Sequence, residues 1–161
     1  MTLLPDCHAL EALPLRLLII AVVACLSIVP ASDALESLRD KAFLQRCETQ
    51  LEMAIRTSQM ISMEGYGAAR TVQLDFRSEG DLRMRSVTMG GEWGEPCMSS
   101  VILELSSGGK LIRTALEPIV WMATEDGTGL TMRAEMFVLR LTSAPVEQGP
   151  LVVCEAMPWT S

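Results

Sequence analysis

Few residues in this chain could carry covalent chemistry, and their spacing gives them no partners. The sole histidine, His8, stands before a long apolar run. A Ser-His-Asp or Cys-His arrangement in the body of the chain therefore has no imidazole to act as base, and a hydrolytic zinc site fails on the same ground. Five cysteines occur, Cys7, Cys25, Cys47, Cys97 and Cys154, with no CxxC pair and no Cys/His cluster at metal spacing. Cys97 and Cys154 are the pair to test for a disulfide, because both fall in the β-rich half whereas Cys47 falls on a helix; three buried free thiols is the other reading. Glu125-Asp126-Gly127-Thr128-Gly129 lacks the alternating oxygen ligands and closing glutamate of a calcium loop, and reads as a turn. Gly90-Gly91 and Gly108-Gly109 lack the lysine or the strand-to-helix setting of a phosphate loop. Twenty acids make some carboxylate pair inevitable, but none stands out at glycosidase spacing. The sequence nominates no catalytic residue, no cofactor and no metal, and points to a non-enzymatic protein.

Binding residues are nearly as sparse. Trp93, ringed by glycines in residues 90–96 (GGEWGEP), is the candidate contact residue. A ring tucked inward to anchor its own loop is the commoner role for a tryptophan so placed. Eleven methionines are many for 161 residues, yet they follow the helical and strand periods, which makes them core filling rather than a promiscuous surface. The net charge of −7 and the two lysines, Lys41 and Lys110, argue against nucleic acid, which demands clustered cations.

What positions these residues is organised by one stretch. Residues 17–32 (LLIIAVVACLSIVPAS) carry no charge and follow Arg16. As a helix they cover roughly 24 Å at 1.5 Å per residue, short of the roughly 30 Å hydrocarbon core of a bilayer. Including residues 13–15 helps, since Arg16 can snorkel its charge to the headgroups, and gives a minimal span. A retained membrane anchor ranks first among three fates. A cleaved secretory signal ranks second, with small residues at Val29-Pro30-Ala31, although Asp6 and Glu11 spoil a basic leader. A buried core helix ranks last, because a chain this small has little surface to surround it. The near flanks, Arg16 before and Asp33 and Glu36 after, favour an exported C-terminal part; the wider count of Arg39, Lys41 and Arg46 favours the reverse.

Beyond Pro30, which marks a kink or a break, the period is helical to about residue 63. Leu35, Leu38 and Ala42 begin an apolar face that Leu44, Cys47, Leu51, Ala54, Ile55 and Ile61 continue. Gly65-Tyr66-Gly67 ends it. The period then falls to two. Residues 72–76 and 82–89 read as a hairpin, with a phase slip near Ser86 that predicts a bulge. Further strands are expected at 101–105, 110–116, 119–123, 130–141 and 151–156, and a loop at 143–150. The expected fold class is α+β: an N-terminal apolar helix continuing, with a kink near Pro30, into an amphipathic helix packed on an antiparallel β-meander of about seven strands. The expected division is 1–32, leader and apolar anchor or signal, and 33–161, a helix-plus-sheet domain.

The Leu13-Pro14-Leu15-Arg16 lead into LLIIAVV, the amphipathic continuation from Ala34 and the β-rich part behind it together resemble type IV pilin-like proteins, and more narrowly small archaeal membrane-anchored pilin-like proteins of unassigned role. The resemblance implies an apolar half-helix held in the membrane, or in a filament core, and an amphipathic half docked on the sheet of the head. It implies like subunits or other envelope proteins as partners. The chain departs from that pattern in having no Gly or Ala preceded by basic residues as a processing site, with Asp6 and Glu11 there instead. The expected function is a single-pass envelope protein of the cell membrane, its domain outside the cytoplasm. A secreted, signal-cleaved or lipidated β-rich binding module, recognising a ligand through 90–96 and 143–150, is the alternative.

Overall fold

The computed structural model describes residues 8–78, 80–146 and 149–157. It divides into two units, Met1–Arg39 and Asp40–Ser161. Helix α1 runs from His8–Glu64 with Pro14 and Pro30 inside it. Pro30 thus does not break the helix, although its ring removes one backbone hydrogen bond. The helix stops where Gly65 turns left-handed at φ 97°, a conformation that costs a residue without a Cβ little.

Eight strands follow: β1 (Ala69–Asp75), β2 (Met84–Met89), β3 (Ser100–Leu105), β4 (Lys110–Thr114), β5 (Trp121–Ala123), β6 (Leu130–Met132), β7 (Met136–Val146) and β8 (Gly149–Met157). They form two four-stranded sheets, sheet A in the order β1-β7-β8-β5 and sheet B in the order β4-β3-β2-β6. The expected α+β architecture, a helix against antiparallel strands, is what forms. Its wiring is richer than a single meander. Only β2-β3-β4 and β7-β8 run as consecutive antiparallel neighbours, and β5 pairs with β8 in parallel.

Two expected elements are redrawn by the change of sheet. Residues 72–76 and 82–89 are not a hairpin: β1 pairs with β7 and β2 with β3. The run 130–141 is two strands, because the buried positions switch from even (Met132) to odd (Phe137, Leu139, Leu141) as the chain leaves sheet B for sheet A. The phase slip near Ser86 is a real irregularity, since Met84 opposes Leu105 while Ser86 opposes Glu104 and Arg85 is the extra residue. The 143–150 loop is instead the end of a long β7–β8 hairpin paired out to Val146 and Gly149.

Both sheets and one face of α1 share a single core. Phe43, Cys47, Leu51, Ala54, Ile55 and Ile61 from the helix join Val72, Leu74, Val87, Met89, Leu103, Leu139 and Leu141 from the strands. On one flank Met53 and Thr57 of the helix line a groove with β1; on the other, Arg113 of β4 pairs with Glu48 at 3.0 Å. The helix therefore bridges two edge strands, one from each sheet. Burying a Leu-sized side chain contributes roughly 1.5–3 kcal/mol relative to exposure, so this face, not the charged one, fixes the helix on the strands.

Candidate functional site

The first candidate is the N-terminal part of α1. Every described side chain in residues 14–39 is exposed. Leu15, Leu17, Leu18, Ile19, Ile20 and Val22 each expose about half or more of their surface, and Leu26 exposes 71 %. A helix apolar all round is stable only where something apolar surrounds it. Because α1 continues through both prolines, residues 13–32 span roughly 30 Å at 1.5 Å per residue, which equals the hydrocarbon thickness. The helix from Pro14–Glu64 thus contains one segment long and apolar enough to cross a membrane. Pro30 leaves the Leu26 carbonyl without its helical donor, and Ser32 Oγ donates back one turn to the Ile28 carbonyl at 2.8 Å. Among the described residues, none in this segment belongs to the core cluster of the Asp40–Ser161 unit.

The second candidate is the loop between β2 and β3. Gly90 enters it at φ 68°, and its N–H donates to the Ser100 carbonyl at 2.9 Å. A Cβ on Gly90 would lie 1.7 Å from the Met122 carbonyl oxygen, so only glycine lets the loop pass this close to β5. The loop then folds on itself: the Met98 N–H reaches the Glu95 carbonyl at 3.1 Å and the Glu92 N–H reaches Glu95 Oε2 at 3.3 Å. This sets Trp93 edge-on against Trp121, with ring centroids 5.5 Å apart and planes at 71°. Such an edge-to-face pair is worth about 0.5–1.5 kcal/mol beyond the area it buries. Trp93 remains 42 % exposed. It is therefore a loop anchor whose exposed flank lines a small cleft of about 200 Å³ with Gly94, Glu95, Met98 and Trp121. Trp121, the partner, opens β5, a strand that reads from sequence as plain core.

The thiols are not poised for chemistry. Cys97 and Cys154, expected as the pair to test, are both free in this structure, as are Cys25 and Cys47. Cys97 sits on a 3₁₀ turn (Pro96–Ser99), where its Sγ donates to Glu95 Oε2 at 3.1 Å. Cys154 is buried at the middle of β8, donating to its own strand at the Val152 carbonyl, 3.7 Å away. The hydrogen bond to Glu95 raises the Cys97 pKa. Burial pushes Cys47 up to about 11 and Cys154 up to about 12. A nucleophilic cysteine needs the opposite shift. Among the described residues no group of three or more His, Cys, Asp or Glu could hold a metal ion.

Comparison with models of known protein families, with curated proteins and with solved structures returns no match.

Proposed function

We propose that the protein is a non-enzymatic, single-pass envelope protein whose α1 segment 13–32 lies in the cell membrane and whose Asp40–Ser161 unit is presented outside the cytoplasm. The observation that carries this reading is the exposure, among the described residues, of eleven large apolar side chains from Leu15 to Leu38. At roughly 25 cal/mol per Å² of apolar surface, leaving such a segment in water is untenable. Arg16 before the segment and Asp33 and Glu36 after it favour the exported orientation. A pilin-like subunit, packing this helix against those of other copies, is the finer form of the proposal. The helix-on-sheet core supports it, since α1 has one half exposed and the other docked on strands.

Small residues at Val29-Pro30-Ala31 favour a second reading, in which a peptidase removes the segment and frees a β-rich binding module. The mass of the mature chain, measured on the membrane and soluble fractions of the host cell, separates the two. A membrane-bound chain that retains residues 17–29 is the expected result. A soluble chain beginning near Ser32 defeats the anchor. Electron microscopy of the cell surface with and without the gene tests the finer form, and filaments unchanged in number and shape would refute a major-subunit role.

A further inference from the structure

The outward face of sheet B is a polar surface that nothing above uses. Strand pairing puts Ser86 opposite Glu104, Thr88 opposite Thr131 and Glu104 opposite Lys110 on one side of the sheet, with Val87, Met89 and Leu103 facing the core on the other. Three hydroxyls, those of Ser86, Thr88 and Thr131, form the floor of a groove of about 480 Å³ walled by Arg85, Glu104 and Arg133. The bulge creates this arrangement. Arg85 is the residue without a partner across β3, and it stands beside the end of β6, where Arg133 follows Met132. Ser86 points outward and is nonetheless only 8 % exposed, because these longer side chains rise round it.

The charges in the groove are unbalanced. Glu104 is held by Lys110 at 2.6 Å and accepts from Ser86 Oγ at 3.3 Å. Among the described residues neither Arg85 nor Arg133 is in an ion pair. With Glu104 already paired to Lys110, which stands outside the lining, Arg85 and Arg133 leave the groove positive in a chain of net charge −7. Thr88 and Thr131 already share a hydrogen bond at 3.1 Å, in which one hydroxyl proton is left to donate outward. Guanidinium forks flanking hydroxyl donors match the oxygens of a tetrahedral anion.

We propose that this groove binds a phosphate- or sulfate-type oxyanion, one face of it held by Arg85, the other by Arg133, with the Thr88–Thr131 hydroxyls beneath. The full chain in neutral detergent micelles, titrated calorimetrically at low ionic strength with inorganic phosphate, inorganic sulfate and glycerol phosphate, tests it. Saturable binding with a Kd of about a millimolar is expected for so open a site. Arg85→Gln or Arg133→Gln should weaken it about tenfold or more, and the double variant should show no saturation. Lysine at both positions should recover part of the affinity, because charge is kept and the fork is lost. Both arginines are exposed, so the melting curve of each variant should match that of the parent. Tighter glycerol phosphate assigns an esterified group as the natural source, and tighter inorganic phosphate a free ion; either outcome sustains the site. A linear response to all three anions, or equal binding by parent and double variant, overturns it.

Discussion

Placing one charge in the middle of the apolar segment separates a membrane helix from a merely exposed one. Val22 lies at the centre of residues 13–32 and is 48 % exposed, so Val22→Arg breaks no contact of the core cluster. In water such a surface change is worth within about 0.5 kcal/mol. At the centre of a bilayer helix, valine contributes about −0.3 and arginine about +3 kcal/mol to the free energy of insertion. The difference, about 3 kcal/mol, shifts the inserted fraction by roughly two orders of magnitude. Carbonate-washed membranes should accordingly lose most of the variant, while the near-ultraviolet circular dichroism melt of the head stays in place. Leu51→Ala is the converse control. Leu51 is fully buried, so its truncation should cost the head about 2–5 kcal/mol and leave membrane retention unchanged. Were Val22→Arg fully retained in the pellet, or were it to lower the head's melting temperature, the segment would be packed against protein and the reasoning would be wrong.

Three further outcomes follow from the head. Gly90→Ala should destabilise it by about 2 kcal/mol or more, since the new Cβ meets the Met122 carbonyl and φ is 68°; denaturant titration reads this out, and a shift under half that size would contradict the close approach of the loop to β5. Arg77 grips Asp75, with Nη2 to Oδ2 at 2.6 Å, and the bond lowers the Asp75 pKa. A depressed carboxyl stabilises the fold above its unfolded pKa and loses that contribution as pH falls through the folded one. Asp75→Asn should therefore cost no more than about 1 kcal/mol at neutral pH, the pair being exposed, and its stability should converge with the parent's below the depressed pKa. The raised Cys47 and Cys154 values have the opposite sign: stability should be intact below the ordinary thiol value of 9.0 and decline as pH climbs toward 11 and 12. Iodoacetamide at pH 8 should leave both unlabelled in the folded head, and rapid labelling of Cys154 would show that β8 is not buried.

The long-period features were legible in the sequence and the pairings were not. Cys47, Leu51, Ala54, Ile55 and Ile61 announce the buried face of α1 because three- and four-residue steps have one structural meaning. Leu35 and Leu38 fit the same period yet stay exposed, since period gives a face and not a neighbour. The bulge was readable from the phase slip at Ser86, whereas the split between β6 and β7 was signalled by the shift from Met132 to Phe137 and read through as one strand. That β1 would join β7, 67 residues away between Asn-free turns, is beyond any local pattern, because Ala69 opposite Thr142 is decided by which sheet has a free edge. Of the sites, Trp93 was visible as an oddity but its partner Trp121 was not. The Arg85–Arg133 groove is assembled from two strands far apart in the chain.

The place of β8 between β7 and β5 has a consequence for how the protein is made. Sheet A cannot close until residues near Met157 have left the ribosome, because β5 has no neighbour in that sheet without β8. The apolar segment, by contrast, emerges more than a hundred residues earlier at about 5–20 residues per second, so under the proposed anchor role a targeting machinery would meet it while the strands are still unpaired. On that reading the fate of the N-terminus would be settled before sheet A closes. A variant that slows the last strand would then prolong exposure of open β edges on a chain already delivered, and quality control at the destination, rather than at the translating ribosome, would have to deal with it.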